Sequence, residues 1–366
     1  MPRFEHWSNV CLYCLRVPSM RRKMVSDCDS ALAYRRLCTC RRRYRKYRQL
    51  GESKTKKKKN SKQGTLEDML TCFEFFFPLV YDNETLLEEL AFDFVRRQHE
   101  QNVIYTEVRY SPHLLAKDPI KSLGAVTKGL RRGCEQFHRT VNQILCAICF
   151  FPDWSNDVVN LAEKHRNDFP CAVVGIDIAA GETHFDKDSP YRKGHYDMCQ
   201  RAQELGLNIT IHAGETPNSA QNVQTAIEKY GAHRIGHAYK IADHKDIMDF
   251  VRDRKVHIES CPTSSAETGG WTKTDWKHHP ANGFRDHGIQ LSLSSDDPAV
   301  FNTSLTWQYR IAMKRMGWSK EEVMAMLEKA IEGTFLDQVG KDSLRQKVQK
   351  WKFGENSFFQ DRVHYD

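Results

Sequence analysis

Nowhere in this 366-residue chain do eighteen apolar residues run consecutively, which excludes a transmembrane helix. The one apolar stretch near the start, residues 10–15, is too short for a secretory signal and follows Glu5 and His6. No glycine-rich phosphate loop opens the strand–helix series, which argues against a doubly wound nucleotide-binding sheet. Cysteine is present but not in the spacing of a disulfide framework. Cys11, Cys14, Cys28, Cys38 and Cys40 crowd the start, and the other seven are scattered singly, several inside apolar runs. That usage fits reduced thiols and a cytoplasmic setting. Histidine is scarce where it will matter: residues 1–64 contain one, His6.

Charge divides the chain in two. Residues 1–64 hold 19 Lys and Arg against 4 Asp and Glu, a net +15, whereas the whole chain is +8, leaving −7 for residues 65–366. The dense basic runs 41–48 and 54–59 repel and stay solvated, so residues 1–64 are expected to form a disordered basic arm. Tyr44 and Tyr47 among the arginines make nucleic-acid binding a minor alternative, and Cys11-x-x-Cys14 fits no common zinc finger. Residues 65–366 are expected to form the folded domain. Its 40% apolar and 11% aromatic content, given for the chain as a whole, suffices for a sizeable core.

Within that domain an apolar, aromatic segment over 66–77 stops at Pro78. A helix follows over 84–97, with Leu86, Leu87, Leu90, Ala91, Phe94 and Val95 at helical spacing. Strand-like runs then appear at 103–109, 143–151, 172–178, 208–212, 234–238, 256–261 and 289–293, separated mostly by polar helical segments such as 243–252. This alternation predicts a closed (β/α)8 TIM-type barrel with C-terminal helices. Seven strands are legible; the first is missing or unrecognisable and should precede Leu66. Ser319 and Glu322 form a capping box ahead of Val323, Met326, Leu327, Ala330 and Ile331 on one face.

In such a barrel the chemistry sits at the C-terminal ends of the strands. Those ends carry Arg109 to His113, with Ser111 among them; Gly181-Glu182-Thr183; His212-Ala213-Gly214-Glu215; Gly236-His237; Ser260-Cys261-Pro262-Thr263; and Asp296-Asp297-Pro298. Adjacent residues of an extended chain point opposite ways, so Asp296 and Asp297 can serve different partners. Each motif alone has an ordinary structural explanation: a turn for Asp296-Asp297-Pro298, a packed imidazole for His212 or His237, an acid at a helix start for Glu215. Gathered at one mouth, His212, Glu215, His237, Asp296 and Asp297 are what metal-assisted hydrolysis needs.

On these motifs, taken in order, the sequence resembles the adenosine deaminases of the amidohydrolase type over about 65–335. The segment 106–113 resembles adenosine deaminase proper more than its AMP and adenine counterparts, and the His-x-Glu…Pro-Cys-x-x-Cys signature of cytidine-type deaminases is absent. The resemblance implies hydrolysis of adenosine and 2′-deoxyadenosine to inosine and 2′-deoxyinosine by a monomer carrying one Zn2+ ion. It implies His212 and Asp296 as zinc ligands and Glu215 as the acid that protonates the purine ring nitrogen beside the attacked carbon. His237 would orient the nucleophilic water, and Asp297 would bond the attacking oxygen or the purine. Ala180 and Gly181 would present a backbone N–H to the base, Ala180 standing where the family usually has glycine; Ser111 would also contact substrate. The segment 66–77 would be a hydrophobic lid.

The resemblance breaks at the start. The family's first strand ends in His-x-His and supplies two further zinc ligands; here the best replacement, residues 9–17, has Tyr and Leu where the imidazoles belong. A catalytic zinc normally has three protein ligands plus water, and His212 with Asp296 make two. Three expectations follow: an adenosine deaminase whose recorded N-terminus is an alternative or misassigned exon; an impaired homologue that binds purine nucleosides without turnover; or a nucleic-acid-associated protein that uses the basic arm.

Overall fold

The computed structural model describes residues 64–272 and 275–353. The expected basic arm, the candidate strand 9–17 and the N-terminal cysteines lie outside them.

The first described helix starts close to where the composition changes. Thr65 caps helix α1 (Leu66–Val80): its hydroxyl accepts from the Asp68 N–H at 3.1 Å, while its own N–H donates to the Asp68 carboxylate at 3.0 Å. The helix does not stop at Pro78 but includes it. A proline there deletes one N–H bond in the last turn, and the Tyr81 N–H closes the end on the Phe77 carbonyl at 2.9 Å.

Helix α2 (Glu84–Glu100) buries Leu87, Leu90, Ala91, Phe94 and Val95, the stripe its spacing predicts. It packs on α3 (Pro119–Phe137) at very short range. A Cβ on Gly129 would lie 2.0 Å from the Glu88 carbonyl oxygen, so only glycine fits there.

Seven parallel strands follow: β1 (Tyr105–Tyr110), β2 (Thr140–Ile148), β3 (Val173–Ala179), β4 (Asn208–Ala213), β5 (Arg234–His237), β6 (His257–Ser260) and β7 (Leu291–Leu293). Each overlaps a run legible in the sequence. They pair in chain order, β1 through β7. The sheet curls on itself, because side chains from its distant members meet inside: Arg109 of β1 pairs with Glu259 of β6, and Arg234 of β5 with Glu107 of β1. This is a TIM-type barrel in which, among the described residues, β1 and β7 each have one strand neighbour.

Helices α4 (Ser155–His165), α5 (Arg192–Glu204), α6 (Ala220–Glu228), α7 (Lys245–Asp253), α8 (Pro262–Thr268) and α9 (Pro280–Asp286) come from the connections between strands. After β7 the chain forms α10 (Pro298–Phe301), α11 (Leu305–Lys314), α12 (Lys320–Gly333) and α13 (Gln338–Phe353). The predicted Ser319–Glu322 capping box is formed, and Val323, Met326 and Ile331 are buried. Among the described residues no helix is long and apolar enough to cross a membrane.

Three buried histidines pack into this scaffold. His195 bridges Ser155 and the Cys149 carbonyl at 2.9 Å each, His257 meets Ser292 at 2.9 Å, and His279 meets Ser265 at 2.9 Å. Burial pushes their pKa values down, to about 4 for His195 and about 3 for His257 and His279. Between those values and the unfolded pKa of about 6.5, only the unfolded chain takes up the proton. Each therefore withdraws stability as the pH falls through that window.

Two outcomes check this packing. An NMR titration from about pH 7 to 5 should leave these three imidazoles neutral while exposed histidines titrate. Gly129→Ala should lower the unfolding free energy by about 1–3 kcal/mol in a denaturant titration, because the α2–α3 contact must open.

Candidate active site

The C-terminal ends of β4, β5 and β6 and the segment after β7 contribute His212, His237, Cys261 and Asp296 to the lining of a cavity of about 660 Å³. Their backbone is unusual. Ala180 (φ 88°), His237 (φ 71°), Ala238 (φ 56°) and Asp296 (φ 53°) all adopt the left-handed region without being glycine. Such residues cost of order 1–3 kcal/mol each and persist where the surrounding structure holds them. Here they turn the chain sharply at the ends of β3 and β5 and just after β7.

His212 is oriented from beneath. Its Nδ1 lies 3.1 Å from the buried Asp177 carboxylate, which fixes the tautomer and leaves the Nε2 lone pair for a metal or a proton. Asp177 is in turn bound by Arg109 Nη2 at 3.0 Å. The chain of charge continues down the barrel through Arg109–Glu259, Arg234–Glu259 (2.7 Å) and Arg234–Glu107. Burial alone would raise the Asp177 and Glu259 pKa values. Arg109, together with His212 for Asp177 and Arg234 for Glu259, reverses that and keeps both below the usual carboxylate range.

The acids above behave oppositely. Glu215 is 3% exposed, and burial with the nearby Asp296 and Glu182 charges pushes its pKa well up. Asp297 is 1% exposed, both its oxygens lack a hydrogen-bond partner among the described residues, and burial with Asp296 and Glu215 raises it likewise. His237 Nε2 stands 3.6 Å from Glu215 Oε2, and burial lowers the imidazole to about 4. Burial thus favours the uncharged form of both members of the pair.

The residues singled out in the sequence separate into groups. His212, His237 and Asp296 line the cavity, and Glu215 reaches it through His237. Asp297 is buried behind Asp296. Ser111, Ala180 and Gly181 are buried and are not part of the cavity lining, nor is any residue of α1, the expected lid, which packs beside α8.

Sequence reasoning assigned no role to Glu182, Asp177, Arg109, Glu259 or Cys261, although four of the five stand at or beside strand ends that it named. Glu182 is the clearest omission. Its carboxylate accepts from the Gly214 N–H and Asn222 Nδ2 on one oxygen, and from the Glu215 N–H, Thr216 N–H and Thr216 hydroxyl on the other, all at 2.8–3.0 Å. It holds the whole loop that carries Glu215.

A ring nitrogen of His237, Cys261 Sγ and a carboxylate oxygen of Asp296 lie within 4.8 Å of one another, and the His212 and His237 ring centres are 5.0 Å apart. Imidazole, carboxylate and thiol donors in this arrangement fit a divalent transition metal, zinc above all.

A family model described as adenosine deaminase matches residues 47–351. Adenosine deaminase of Xenopus tropicalis is 33% identical over 299 residues, covering 78% of this chain and 81% of its own. That of Bos taurus is 31% identical over 301 residues, with the same two coverages. Among solved structures, an Arabidopsis N6-mAMP deaminase superposes with TM-score 0.68 at 25% identity, covering 78% of this chain and 84% of its own. A Zn-bound cog1816 amidohydrolase gives TM-score 0.68 at 19% identity, covering 76% and 77%, and shares the fold.

Glu182→Gln should cost about 1–3 kcal/mol of stability by thermal or denaturant unfolding, because its NH2 group must face N–H donors that now point at a carboxylate oxygen. Faster amide exchange confined to residues 214–216 would locate the effect.

Proposed function

The chain belongs to the adenosine deaminase family, and we propose that it hydrolyses adenosine and 2′-deoxyadenosine to inosine and 2′-deoxyinosine, releasing ammonia, with one zinc ion. The observation that carries this reading is the Glu215–His237 pair, a buried acid and base 3.6 Å apart beside the metal donors, each pushed by burial toward its uncharged form. Residues 65–366 are taken as the catalytic domain, which the family match supports. The seven described cysteines are free and buried, which supports a reducing, cytoplasmic setting.

His212 and Asp296 would hold the ion. When bound, it supplies Lewis acidity and lowers the pKa of water at the site. Glu215, whose protonated form burial favours, donates a proton to the purine ring nitrogen adjacent to the carbon that bears the amino group. That carbon becomes electrophilic. Neutral His237 accepts a hydrogen bond from the attacking water, takes one proton as the oxygen adds and passes it to the departing amine; the proton left on the new hydroxyl returns to Glu215 as the carbonyl forms. Asp297, which burial and the neighbouring acids likewise push toward its protonated form, would bond the attacking oxygen or the purine. Burial excludes water around these groups and strengthens each contact. The family resemblance also assigns substrate contacts to Ser111 and the Ala180–Gly181 backbone, which a bound nucleoside would meet only beyond the present cavity lining.

One sequence feature favours a second reading, nucleoside binding without turnover. Residues 1–64 contain only His6, where the family draws two imidazole ligands.

Conversion of adenosine to inosine by the full chain with added zinc decides between the two. Glu215→Gln should lower kcat by about 10²–10⁴-fold with little change in KM, and the wild-type rate should fall on the alkaline side as Glu215 loses its proton. Folded protein that binds adenosine and returns it unchanged would leave the second reading standing.

A further inference from the structure

Resting on the metal-dependent reading of this site, we infer that Cys261 is a ligand of the ion, joining His212 and Asp296 as the third protein donor. The placement of the sulfur is the first argument. Cys261 Sγ lies within 4.8 Å of both an Asp296 carboxylate oxygen and a His237 ring nitrogen, on the cavity wall that His212 also lines. Donors on a tetrahedral zinc, with bonds of about 2.0–2.3 Å, stand roughly 3.3–3.8 Å apart. The sulfur and the Asp296 oxygen are therefore close to the spacing that an ion would impose on two of its donors.

The second argument is how firmly the backbone is held. The Cys261 N–H donates to the Tyr239 hydroxyl at 2.8 Å, and that hydroxyl donates back to the Cys261 carbonyl at 3.1 Å. The same hydroxyl lies 3.4 Å from His237 Nδ1, so one phenol ties the cysteine to the histidine. The Ser294 N–H donates to the Ser260 carbonyl at 2.8 Å, which locks the chain two residues before Asp296 to the residue before Cys261. Ligands fixed by outer hydrogen bonds in this way make a prepared metal site.

The third argument is contrast. Cys146 also lines the cavity, but its Sγ is 3.4 Å from Asp177 Oδ2, inside the ion ladder; Cys134 and Cys171 face each other at 3.7 Å. Cys261 is the cysteine placed beside both an imidazole and a carboxylate at the strand ends. Without a cation, burial keeps it as the thiol. An ion would bind it as thiolate, with one proton released to solvent. Three protein ligands would leave a position open for water, within reach of His237.

The test uses the full-length chain, stripped with a chelator and reloaded with Co2+. Wild type should show a near-ultraviolet sulfur-to-cobalt charge-transfer band. Cys261→Ser and Cys261→Ala, confirmed as folded by circular dichroism, should lose it and bind Co2+ and Zn2+ at least about tenfold more weakly. Cys146→Ser should keep the band. Cobalt bound by wild type without that band would overturn the inference and leave the metalloenzyme reading intact. A band that survives in both Cys261 variants would place the sulfur elsewhere in the chain and overturn it too. Folded wild type that takes up neither metal would overturn both.

Discussion

The ladder of buried charge that runs up the inside of the barrel, Glu107–Arg234–Glu259–Arg109–Asp177–His212, is the constraint on which the site depends. It joins β1, β3, β4, β5 and β6 across the interior, so it sets the curl of the sheet and the angle of His212 together. Burying so many charges is costly, and the Coulombic return meets that cost only when every partner is in place. Such a ladder is poor as a source of stability but strict about geometry. Any slip of β1 against β6 would leave a charge alone in the core, which the remaining apolar packing could not absorb.

The same barrel then runs two electrostatic regimes a few residues apart. Below the strand ends, carboxylates are matched by guanidinium groups and stay ionised. Above them, burial and neighbouring acids outweigh the few favourable contacts of Glu215, act on Asp297 as well, and push both carboxyls toward their protonated forms. Environments that drive like groups apart in pKa are how one fold provides both anchors and proton donors. Glu182 sits at the boundary. Its charge, saturated by five donors, fixes the loop of Glu215 and also helps to keep Glu215 protonated.

Much of this was legible in the chain. Parallel strands buried on both faces read as short apolar runs, and each of the seven was visible within a few residues of its ends. His212, Glu215, His237 and Asp296 were legible because barrel chemistry collects where strands end, and their motifs end strands. Pro78 misled, since a proline in a last turn costs little. The ladder was not legible. Arg109, Asp177, Arg234 and Glu259 look like ordinary polar residues within strands until the sheet curls and brings residues as much as 150 positions apart into contact.

The sequence by itself determined the alternation of strands and helices, the Thr65 cap of the first described helix and the order of the strand-end motifs. These follow from local periodicity, capping and turn chemistry, which act over a few residues. Tertiary structure alone decided which carboxylates are charged, which tautomer His212 adopts, and that Cys261 stands beside Asp296 and His237. Those properties are set by desolvation and by neighbours distant in the chain, and no local pattern encodes them.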